Sequence, residues 1–68
     1  MKIEEAKKIV TEIQNTYLDV GDCAYVSADG EWEIGNSGCQ PSNTCAVGPD
    51  DFDECTVDEI ADSIVTRW

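Results

Sequence analysis

Asp22-Cys23-Ala24-Tyr25-Val26-Ser27-Ala28-Asp29-Gly30-Glu31-Trp32-Glu33-Ile34 is the stretch that decides the fold. Two runs containing aromatic and β-branched residues flank Asp29-Gly30, and Asp-Gly between such runs predicts a β-hairpin closed by a two-residue type I′ turn. In that register Ser27 faces Trp32, Tyr25 faces Ile34 and Cys23 faces Asn36. Cys23, Tyr25, Trp32 and Ile34 then form the expected core face, while Ala24, Val26, Glu31 and Glu33 point to a mixed, partly acidic outer face.

N-terminal to the hairpin, Ile3, Ala6, Val10, Ile13, Tyr17 and Val20 recur at steps of three and four, with Ile9 widening the stripe. This is the period of an amphipathic helix, expected over residues 2 to 18 and ended by Gly21. Glu4 and Glu5 suit the positive end of its dipole, and Glu4 and Lys8 are spaced for an ion pair one turn apart. C-terminal to the hairpin, residues 35 to 43 are dense in Gly, Ser, Asn and Pro and read as a loop. Thr44-Cys45-Ala46-Val47 is a possible short third strand before Gly48-Pro49. Thr56-Val57-Asp58-Glu59 then matches the capping box, in which threonine and glutamate each satisfy an orphan amide, so a second helix is expected from Val57. Val57, Ile60, Ala61, Ile64, Val65 and Trp68 form its apolar stripe; Asp58, Glu59 and Asp62 face away. The expectation is one small α+β domain over residues 1 to 68, with the helices packed on one face of the small sheet.

Charge narrows the function. The chain of 68 residues carries fifteen Asp and Glu against four Lys and Arg and no His, a formal charge of −11. Lys2, Lys7, Lys8 and Arg67 are the only cations, so none lies between Ile9 and Thr66. Phosphate backbones and anionic lipid surfaces repel such a chain, which argues against direct nucleic-acid or membrane binding. The expected partner is a basic protein, in particular one that handles nucleic acid. Lys2, Glu4, Glu5, Lys7 and Lys8 interrupt any apolar run that could serve as a signal peptide, so the chain reads as cytoplasmic.

The chemistry-bearing residues point away from catalysis. Cys23, Cys39, Cys45 and Cys55 lack the short gaps of paired zinc ligands, and no His completes a mixed site. Their even number leaves disulfides open, in three possible connectivities. The alternative is that Cys23 and Cys55 are small buried hydrophobes. No cation or base stands beside any of them to favour a thiolate nucleophile. Asp50-Asp51-Phe52-Asp53-Glu54 concentrates oxygen ligands but lacks the turn glycine and distant glutamate of a helix-loop-helix calcium site. The chain therefore reads as a non-enzyme with no metal and no cofactor.

What remains is the acidic surface. Asp50, Asp51, Asp53 and Glu54 lead into the helix bearing Asp58, Glu59 and Asp62, and Glu31 and Glu33 share a strand face. Residues two apart on a strand are about 6.5 to 7 Å apart, close to the spacing of phosphates along a nucleic-acid strand. These nine carboxylates are the candidate partner-binding residues of an inhibitor or decoy. In general character, without a shared motif, the chain resembles the small acidic proteins that phages use against host nucleases and CRISPR complexes. The alternative expectation is a structural or regulatory interaction module, disulfide- or metal-stapled, that binds through the Gly35 to Asn43 loop with Trp32 beside it.

Overall fold

In the computed structural model, which describes residues 1–68, the order is α1 (Ile3–Gln14), β1 (Asp22–Ser27), β2 (Trp32–Asn36), β3 (Thr44–Val47), α2 (Asp51–Glu54) and α3 (Val57–Arg67). The strands form one antiparallel sheet in the order β2-β1-β3. Ten residues make the core: Ala6, Ile9, Val10 and Ile13 of α1, Ala24 and Val26 of β1, Val47 of β3, and Ile60, Ala61 and Ile64 of α3. The α+β architecture, with both long helices on one sheet face, is the one expected from the sequence. No helix is long and apolar enough to cross a membrane.

The hairpin forms, but one residue out of the expected register. Val26 pairs with Trp32 and Ala24 with Ile34, which leaves Ala28-Asp29-Gly30 as a three-residue loop. Ser27 N–H donates to Glu31 O at 2.8 Å, Gly30 N–H donates to Ser27 O at 3.1 Å, and Gly30 alone takes a positive φ of 93°. A type I′ turn would need positive φ at Asp29 as well. Asp29 keeps an ordinary φ, and its carboxylate accepts instead from the Ser27 hydroxyl and from Glu31 N–H. These local hydrogen bonds favour the longer turn, and hold the Asp29 carboxyl below its usual pKa.

The slip exchanges the faces of β1. Ala24 and Val26, not Cys23 and Tyr25, join Trp32 and Ile34 on the helix side. Tyr25 is nevertheless only 2% exposed, because on the outer face its ring lies against Gly35 and its hydroxyl donates to Asn36 O. Glu31 and Glu33 do lie on the outer face, as expected.

α1 is shorter than its apolar stripe. Asn15 N–H bonds to Thr11 O, Thr16 N–H tightens onto Ile13 O, and the Thr16 hydroxyl takes Glu12 O at 2.8 Å. The Asn15 bond is the last of the helical ladder, and beyond it the Thr16 hydroxyl competes for a backbone carbonyl, as threonine does near helix ends. Tyr17 and Val20 consequently fall outside the helix and stand exposed. Gly21, rather than capping α1, supplies the positive φ of a separate Asp19 to Asp22 turn. The expected Glu4–Lys8 pair is absent; the one ion pair joins Lys7 Nζ to Asp58 Oδ1 across the helices at 3.5 Å.

α3 begins where expected. Thr56 N–H donates to Glu59 Oε1 at 2.9 Å and Glu59 N–H donates to Thr56 Oγ1 at 3.2 Å, both halves of the capping box. Two boundaries were not anticipated. Gly35 and Asn36 extend β2 into the expected loop, and Asp51–Glu54 closes into a single helical turn.

Candidate functional site

The nine candidate carboxylates divide by position and by duty. Glu31 and Glu33 lie on the sheet face away from α1 and α3, whereas Asp58, Glu59 and Asp62 lie on α3. Asp50, Asp51, Asp53 and Glu54 form the turn that joins the sheet to α3. Three of the nine have structural partners. Asp51 Oδ2 accepts from Gly48 N–H at 2.8 Å, Glu59 completes the capping box, and Asp58 pairs with Lys7. Asp50, Asp53, Glu54, Asp62, Glu31 and Glu33 are exposed, with no ion pair and no side-chain hydrogen bond. Charges on opposite sides of a molecule whose thinnest Cα extent is 16 Å lie farther apart than the Debye length of about 8 Å, so the two sides act as separate patches.

Two of the turn's carboxylates and a residue outside that set, Asp22 of β1, act on one thiol. The thiol of half-buried Cys23, over Gly48, is raised above its ordinary pKa, first by burial and then by Asp51, Asp22 and Asp50. The β1–β3 pairing ends at Ala24–Val47, and the next residues along, Cys23 and Gly48, lie in contact range; sequence distance hid this contact.

Sequence reasoning also missed an apolar neighbour. The end of α1, the segment leaving it and the start of α2 line an open groove of about 420 Å³, half with the apolar Ile13, Tyr17, Leu18 and Phe52 and half with Pro49 and the polar Gln14, Asn15 and Thr16. Leu18 and Phe52 pack half-buried against the core, while Tyr17 remains 84% exposed. Exposed Asp50 and Asp53 bracket Phe52, and Asp19 follows Leu18.

The four thiols are free and fall in different settings. Cys23 and Cys45 are half-buried, and burial raises the Cys45 thiol, with partial relief from Arg67. Cys39 is exposed, and so is Cys55, against the expectation of a buried Cys55: it occupies the bend between α2 and α3, beside a small cleft of about 100 Å³ shared with Cys45. No three Cys, Asp or Glu side chains gather closely enough to hold a metal ion. The alternative surface is also rearranged. Trp32 faces the helices, its Nε1 donating to Glu12 Oε2 at 3.4 Å. That loop is braced by Gln40 Nε2 on Thr44 O and by the Thr44 hydroxyl on Pro41 O, each at 2.8 Å.

Comparison with protein-family models, with curated proteins and with solved structures finds no match.

Proposed function

We propose that this protein is a non-enzymatic, cytoplasmic acidic binding protein that acts as an inhibitor or decoy. It occupies the basic surface with which another protein handles nucleic acid. The observation that carries this reading is the unneutralised charge: fifteen carboxylates, no cation between Ile9 and Thr66, and one ion pair in the whole molecule. A small domain stays soluble with a net charge of about 2 to 8 in magnitude and both signs interspersed, less than the charge carried here. Here Asp50, Asp53, Glu54 and Asp62 stand unpaired on consecutive elements, available to Arg and Lys of a partner. Each exposed pair contributes only about 0.2 to 1 kcal/mol, so affinity would come from many pairs and from fast, steered association.

Competition with nucleic acid tests the proposal. Proteins from a cell lysate are bound to a double-stranded DNA resin and washed at low salt, and this protein is then applied. A decoy elutes a basic DNA-binding protein from the resin, and the Asp53→Lys/Asp62→Lys double variant elutes far less. Asp53 and Asp62 are chosen because neither has a structural partner, whereas reversing Glu59 would also remove the α3 cap. Elution that is absent, or equal for both proteins, contradicts the proposal.

A further inference from the structure

We infer that the open groove at the C-terminal end of α1 seats a large apolar side chain from a Lys/Arg-rich segment of the partner. The inference rests on the acidic-surface reading for the sign of the partner's charge, and adds an anchor that charge alone does not require. Tyr17 is an aromatic residue 84% exposed with no hydrogen-bond partner, and it stands at the rim of a depression whose walls, Leu18 and Phe52, are held in place by the core. Val20, three residues on, is fully exposed as well. Isolated exposed apolar residues are ordinary; a contiguous set around a concavity marks an interaction site.

The rim decides the occupant. Exposed Asp19, Asp50 and Asp53 are the immediate chain neighbours of the lining residues Leu18, Pro49 and Phe52, and no cation lies in the sequence from Ile9 to Thr66. A second copy of this chain would bring the same carboxylates against one another in a self-complementary contact, and an anionic lipid surface would be repelled likewise. A cationic segment with one Phe, Leu or Trp satisfies both the apolar half of the lining and the carboxylates that adjoin it in the chain. The apolar side chain supplies the desolvated centre that exposed ion pairs lack, and the carboxylates form a charged border around it.

Two short Lys/Ser peptides, one with a central Phe and one with Ala in its place, provide the test, by titration at low salt against the intact protein. The Phe peptide is expected to bind about tenfold more tightly. Tyr17→Ser is expected to abolish that difference without unfolding the protein, since Tyr17 lies outside every helix and strand. Asp53→Lys is expected to weaken both peptides. Equal affinity for the two peptides, with Asp53→Lys still weakening both, overturns the groove and leaves the acidic surface standing. Binding of neither peptide removes the acidic-surface reading and the groove with it. A concentration-dependent dimer dissolved by Tyr17→Ser overturns the inference by assigning the groove to a second copy.

Discussion

α1 and α3 are built on the same apolar period, yet one ends nearly two turns short of its stripe and the other starts where its sequence indicates. The difference lies in hydrogen bonding at the ends. Thr56 and Glu59 satisfy each other's amides and locate the start of α3, whereas Lys2 offers α1 no side-chain cap and Asn15-Thr16 turn the chain away from the helix. Apolar period locates a helix, and local polar chemistry bounds it. The practical result is that two apolar residues of the α1 stripe, Tyr17 and Val20, are left in water beside the acidic turn.

The largest expected effects test the stripe itself. Ile13→Ala and Ile64→Ala, one in each helix and both fully buried, should each lower stability by about 2 to 5 kcal/mol in urea titrations. Tyr17→Ala and Val20→Ala should shift it by no more than about 0.5 kcal/mol. A large loss at Tyr17 would mean that α1 continues through it, and would break the comparison.

Smaller effects should appear at the helix starts. Thr56→Ala should cost about 1 kcal/mol, with the loss concentrated in α3 amides in hydrogen exchange. Lys2→Ser should have the opposite sign, gaining up to about 1 kcal/mol. It places serine three residues before Glu5, in the spacing that already caps α3, and removes a cation from the positive end of the helix dipole. Thermal midpoints of the two variants should therefore bracket that of the parent.

The finest contrast is among the thiols. At neutral pH, a maleimide reagent should label exposed Cys39 and Cys55 before Cys23 and Cys45, read by mass spectrometry of peptides. The second pair is half-buried and raised in pKa, so it keeps its protons and gains reactivity only as pH climbs further into the alkaline range. The linked stability has the same sign: a raised folded pKa favours the protonated fold, so this contribution is full below the unfolded thiol pKa and is lost as pH rises through the folded one. Equal labelling of all four would mean that β1 and β3 do not shelter Cys23 and Cys45.

The same contrast explains which parts were legible in the sequence. The capping box, the hairpin, the third strand and the α+β class were read correctly because each has a local signature. The hairpin register was not, because Asp-Gly serves both two- and three-residue loops, and β1 carries apolar residues on both faces. Cys23 and Tyr25 competed with Ala24 and Val26 for the core, and the hydrogen bonds of Asp29 decided between them. α2 was hidden by its acids, which read as surface charge rather than as a helical turn. The candidate carboxylates were evident from composition. Their division into structural and free groups depends on the register of Gly48, Thr56 and Lys7 with their partners. The groove could not be read at all, since Tyr17 and Val20 fit the helical period.

The most direct measurement is a titration of this protein into a preformed complex between labelled DNA and one of the basic proteins eluted from the DNA resin. The account predicts that DNA is released as the protein is added. The midpoint should move to higher concentration for the Asp53→Lys/Asp62→Lys variant, and direct binding of the two proteins should weaken with added salt. A ternary complex in which DNA stays bound, or release indifferent to the two charge reversals, would contradict it.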